Sequence, residues 1–137
     1  MELQKPRFPG YRTCLAMMRK HNPQTSEDGF YFLLPHAAEY VDDLIVEFQA
    51  EKEHGLRCWF LELIGAARSA KAFHLLRDQL QSEDVAMRSW AIHGLQELNS
   101  PEARQVLFDE GGRKGAAQPG VAADERVGRA APSRVRR

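Results

Sequence analysis

The sequence predicts an all-α fold: a short superhelix of about three helical hairpins, followed by a disordered C-terminal tail. Three observations carry this reading. Apolar residues in the body recur with a helical period. A self-similarity at 31 residues joins two stretches of the chain, each long enough for a pair of helices. The composition also changes abruptly at Gly111.

Taken in order, a helix is expected over residues 12–20, ended by Asn22 and Pro23. Ser26, Glu27, Asp28 and Gly29 read as a turn, and the aromatic run after them fits a short helix or an extended piece equally well. Residues 1–34 are therefore read as a helical capping segment. Ala37, Val41, Leu44, Ile45 and Phe48 draw one amphipathic stripe, with Pro35 in the first turn of its helix, where a missing N–H is no loss. Leu56, Phe60, Leu63, Ile64 and Ala67 draw a second stripe, and Phe73, Leu76 and Leu80 a shorter third. Ala91, Ile92, Leu95 and Leu98 make a fourth, punctuated at its start by Ser82, Glu83 and Asp84. Ala103, Val106 and Leu107 make a fifth, with Ser100 as N-cap, Pro101 at the first helical position and Glu102 in the first turn.

The repeat sets residues 57–76 over residues 88–107. Arg57 meets Arg88, Trp59 meets Trp90, Leu61 meets Ile92, Ile64 meets Leu95, Ser69 meets Ser100, Ala72 meets Ala103 and Leu76 meets Leu107. One step back, Leu44 and Ile45 fall on Leu75 and Leu76. Matching Arg, Trp and the intervening turn together is what a helical solenoid leaves in a sequence. The residues Val85, Arg88, Ala91, Leu95, Leu98, Pro101, Ala103 and Leu107 follow the pattern V-x-x-R-x-x-A-x-x-x-L-x-x-L, a turn, and a second helix. In this the chain resembles HEAT-like repeats over residues 35–110, best in the last copy, since His54 and Phe60 depart from the pattern in the copy before. The resemblance implies stacked helix pairs. It also implies that Arg57 and Arg88 tie a turn to an acidic neighbour in the adjacent unit.

From Gly111 onward the chain is Gly, Ala, Pro and Arg with few large apolar residues, so residues 111–137 are expected to be disordered. Residues 1–110 hold 12 Lys or Arg and 17 Asp or Glu, net −5, whereas residues 111–137 hold 7 and 2, net +5. The tail cations (Arg113, Lys114, Arg126, Arg129, Arg134, Arg136 and Arg137) suit weak attachment to polyanions, with no aromatic for base stacking. No apolar stretch approaches the roughly 18 residues of a membrane span. The start, MELQKPRFPG, has no secretory core, and a cytoplasmic protein is expected, with Cys14 and Cys58 as buried free thiols.

The sequence carries no recognisable catalytic signature. His21, His36, His54, His74 and His93 form no HExxH and no His-Glu pair of the kind HEAT-like iron hydroxylases carry. No nucleophile elbow or phosphate loop stands in the sequence, so neither metal nor cofactor is expected and the chain reads as no enzyme. Glu39, Asp43, Glu47 and Glu51 recur at every fourth position. Like charges so placed cost a helix roughly 0.2–0.5 kcal/mol per pair, and an acidic ridge of this kind suits a basic partner. Trp59 and Trp90 join the candidate surface, with core packing as the competing role for both. The expected function is a non-catalytic protein-binding module, of the look of bacterial immunity or adaptor proteins. The resemblance also admits a nucleic-acid-binding enzyme of the HEAT-like DNA glycosylase type, which the net −5 body opposes, and a protein similar to bilin lyases.

Overall fold

The computed structural model describes residues 7–117, with side chains as far as Gly111. Among the described residues seven α-helices succeed one another: α1 (Tyr11–Met18), α2 (Pro23–Leu33), α3 (Val41–Ala50), α4 (His54–Ala66), α5 (Phe73–Gln79), α6 (Val85–Leu98) and α7 (Pro101–Ala117). Short 3-10 segments precede α3 (Leu34–Tyr40) and α5 (Ala70–Ala72). There is no strand among the described residues, and no helix among them is long and apolar enough to cross a membrane.

The segment between Pro23 and Leu33 is a helix, and its chemistry reverses the expected turn. Asn22 and Pro23 do not merely end α1; they start α2, with the Asn22 carboxamide accepting from the Thr25 N–H at 3.1 Å and Pro23 at the first helical position. Ser26, Glu27, Asp28 and Gly29 all lie within α2. Gly29 is there for close packing: a methyl group on it would stand 2.7 Å from the Met17 Cβ and 2.8 Å from the Cys14 carbonyl oxygen of α1. Pro35 does not open an α-helix. Lacking an N–H to continue α2, it falls in the tighter 3-10 segment, and α3 begins only at Val41.

The expected stripes form one core. Val41, Leu44 and Phe48 of α3, Phe60, Leu63 and Ile64 of α4, Leu76 of α5, Ala91 and Leu95 of α6 and Ala103 of α7 are buried together with Cys14, Leu15, Met18, Phe30 and Leu33 of the first two helices. The described part of the N-terminal segment is thus continuous with the repeats. Caps fall where the sequence places them: Ser100 Oγ accepts from Ala103 N–H at 3.0 Å, and Asp84 Oδ1 from Ala86 N–H at 2.9 Å. The 31-residue register reaches the backbone itself, since Arg68 and Asn99 are both left-handed, at φ 51 and 50. Asn tolerates that region. Arg68 is held in it by its Nε, which donates to the Glu97 carbonyl of the next unit at 3.2 Å.

α7 continues through Gly111 to Ala117, so residues 111–117, expected to lack structure, extend the helix in the structure. A helix already nucleated lengthens at little cost, and no proline interrupts it after Pro101. The rest of the expected basic tail, 118–137, lies outside the described residues.

Packing centres on α4 and α6. α4 lies against α3 and α6, and α6 also against α5 and α7. Where α4 and α6 cross, two glycines meet. A methyl group on Gly65 would stand 2.8 Å from the Gly94 Cα, and one on Gly94 would stand 3.0 Å from the Gly65 Cα and 2.9 Å from a Leu76 methyl. At an open helical site, Gly→Ala stabilises by about 1 kcal/mol. Here the backbone itself would have to move, so Gly65→Ala and Gly94→Ala should each destabilise by about 1–3 kcal/mol in urea denaturation. Gly111→Ala, with nothing within 4 Å, should be neutral or mildly stabilising. Neutral effects at all three positions would contradict the close crossing.

Candidate protein-binding surface

The four acidic residues expected to form one ridge have different fates. Glu39 is exposed on the 3-10 segment, with its Oε2 3.0 Å from His36 Nδ1. Asp43 is exposed on α3 and forms no ion pair with a described residue. Glu47 and Glu51 are taken: Arg19, the residue that caps the end of α1, donates to Glu47 at 3.0 Å and to Glu51 at 2.6 Å, tethering α1 to the end of α3. Burial opposes ionisation of Glu51, but the hydrogen bond from Arg19, together with the Glu53 N–H at 3.1 Å, holds its carboxyl below the ordinary value. The same hydrogen bond holds the Arg19 proton more firmly. Under the tether, burial pushes the Tyr11 hydroxyl well up, reinforced by the Glu47 and Asp43 charges. Glu47 and Glu51 therefore serve the fold first. Beside them Asp42 meets Lys71 at 3.1 Å.

The two tryptophans are packing residues. Trp90 is only 8% exposed, with its ring edge-on to His93 at 5.9 Å between centroids. Trp59 is part-buried against the core and stacked on Phe30 at 5.1 Å. An interface anchor needs surface to lose on binding, which Trp90 lacks, so its place on the candidate surface is withdrawn. Arg57 and Arg88 play a structural part, but on different partners from those the resemblance implies. Arg57 donates to the Phe48 and Glu51 carbonyls at 3.0 and 3.1 Å, with its guanidinium 4.1 Å above the Phe48 ring. Arg88 donates to the Ser82 carbonyl at 2.7 Å. Arg57 satisfies backbone acceptors left open at the end of α3, and Arg88 one in the turn between α5 and α6.

A different set of exposed residues stands in the repeat register. Val46, Arg77 and Phe108 follow one another at 31 residues on α3, α5 and α7, and so do Asp43, His74 and Gln105. All six are exposed. Two of them are large apolar side chains left in water, Val46 at 63% and Phe108 at 75% exposure. Arg77 is turned to Asp78 at 3.3 Å and Gln105 to Asp109 at 2.9 Å. The exposed positions of α3, α5 and α7 thus combine apolar groups with the Asp43 carboxylate, and Glu39 stands exposed on the 3-10 segment just before α3. The sequence contained this signal: extending the 31-residue shift to polar positions and to Phe108 puts them in line. Among the described residues, no group of three His, Cys, Asp or Glu side chains is arranged to hold a metal ion.

A family model for HEAT repeats matches residues 41–110. No curated protein and no solved structure matches the chain.

The Arg19 tether has a pH signature. Glu51 is held below the carboxylate value of about 4.3 found in unfolded chains. Its stabilisation is therefore complete above that value and is lost as pH falls through the lower folded value. Glu51→Gln should lower stability at neutral pH by about 1 kcal/mol and flatten the acid limb of Tm against pH. An unchanged acid limb would show that the tether contributes nothing.

Proposed function

The chain belongs to the HEAT-repeat family, and on that scaffold we propose a non-catalytic protein-binding module whose contact face is formed by α3, α5 and α7. The observation that carries the reading is the pair Val46 and Phe108, large apolar side chains exposed at equivalent positions of the repeat. Burying one such side chain is worth about 1.5–3 kcal/mol, and apolar residues within a polar rim are what protein interfaces bury at their centres. The rim here is acidic. Glu39 and Asp43 stand on it, Asp42 beside them, and residues 1–110 carry net −5. The complementary partner is a protein with an apolar contact point inside a basic surface, the arrangement an adaptor or an immunity protein would occupy. Opposite charge across the rim speeds encounter, and the apolar centre sets the residence time.

The test uses exposed positions only, so that folding and binding separate. The partner is captured with the full chain, identified, and its affinity measured by calorimetry against variants. Val46→Ala with Phe108→Ala should weaken binding at least about tenfold, through faster dissociation. Glu39→Lys with Asp43→Lys should slow association and remove most of its salt dependence. Reversal at Glu47 is avoided because it would also break the Arg19 tether. A partner held as tightly by both double variants as by the wild type would refute this face.

A further inference from the structure

Outside the binding face, one cluster of reactive groups lies where α4 and α6 begin. His54 opens α4 and Cys58 follows four residues later, so both side chains rise on one side of that helix. His54 Nε2 lies 2.8 Å from Asp84 Oδ2. Cys58 Sγ lies 4.0 Å from His54 Nδ1 and 3.9 Å from Nε2. Asp84 is fixed by its role as the cap of α6: its Oδ1 accepts from Ala86 N–H at 2.9 Å, and its own N–H donates to Ser82 Oγ at 3.0 Å. The second carboxylate oxygen is thereby aimed at the imidazole of the preceding unit.

The contact with Asp84 assigns the tautomer. A carboxylate only accepts, so the proton of the His54–Asp84 contact sits on Nε2; the Cys58 sulfur stands about equally far from both ring nitrogens, and in the neutral imidazole Nδ1 is the one left able to accept its proton. This is the order nucleophile, base, orienting carboxylate that activates thiols elsewhere, with the two ring nitrogens exchanged. The cluster is open to reagents: the His54 side chain is 61% exposed, and Cys58 is part-exposed. Cys14 offers the contrast, being buried, with burial pushing its thiol up. The scaffold does not require the arrangement, because the repeat equivalents of His54 and Cys58 are Val85 and Ser89.

We propose that Cys58 is a peroxide-sensitive thiol, with His54 as its proton acceptor and Asp84 as the residue that positions the imidazole. The Cys58 proton passes to His54 Nδ1 and the thiolate attacks one oxygen of a hydroperoxide. The S–O bond forms as the O–O bond breaks. The departing oxygen takes the proton from the imidazolium and leaves as water or alcohol. Sulfur loses two electrons to the peroxide, and the product is a sulfenic acid.

The experiment treats the full chain with hydrogen peroxide at neutral pH in the presence of dimedone and follows labelling of each cysteine peptide by mass spectrometry. In the folded protein Cys58 should label at least about tenfold faster than in the urea-unfolded chain, and Cys14 should stay unlabelled. His54→Ala and Asp84→Asn should each bring Cys58 down to the unfolded rate, and added imidazole should restore part of it in His54→Ala. Asparagine keeps the N-cap, so Asp84→Asn should melt like the wild type, and its slower labelling will report positioning and not unfolding. Cys58→Ser should abolish the label. A folded rate no higher than the unfolded one, or a wild-type rate in either variant, would overturn the proposal.

Discussion

The contact between Gly65 and Gly94 sets the geometry of everything else in this molecule. With no Cβ on either side, α4 and α6 cross with their backbones touching. Ile64 and Leu95, the neighbours of those glycines, are completely buried, and Leu76 of α5 fits against the same crossing. A helix pair normally keeps side chains between its axes. Removing them here trades apolar volume for a fixed distance between successive units, and the 31-residue register follows the chain across that distance. Arg57 then closes the end of α3, Arg88 ties the turn before α6, and Arg68 spans to Glu97 on the next unit. α3 packs on α4, and α5 and α7 on α6, so the helices that bear the exposed residues one period apart are carried on this spine.

Much of this was legible in the residues. The stripes on α3 to α7, the Ser100 and Asp84 starts and the repeat itself rest on apolar spacing and cap chemistry, which are local and short in range. The failures share a cause. Gly29 looked like a turn because a glycine's local signature is the same whether it frees the backbone or admits a neighbouring helix; only the position of α1 distinguishes the two. Gly65 and Gly94 give no local sign of their crossing for the same reason. Pro35 could not reveal that the chain was arriving from a helix, and so needed a 3-10 bridge.

The candidate surface was half legible. Spacing alone grouped Glu39, Asp43, Glu47 and Glu51, but it could not show that Arg19, far away in the chain, would claim two of them. Nor could it tell Trp59 and Trp90, packed on Phe30 and His93, from exposed indoles. A ridge of unpaired carboxylates would have been costly beside the core, and the fold converts half of it into a tether. What remains outward is Glu39 and Asp43, with Val46 exposed one turn beyond Asp43 on α3. His54 and Cys58 were each visible. Their meeting with Asp84 depends on α6 starting beside α4, which again follows from the glycine crossing.

Amide hydrogen exchange on the full chain tests that spine most directly. If α4 and α6 hold the rest in place, the amides flanking Gly65 and Gly94 open only with global unfolding and are the slowest in the molecule, while those of α3 and α7 exchange through smaller openings. Exchange around Gly65 and Gly94 as fast as in α3 or α7 would contradict the account.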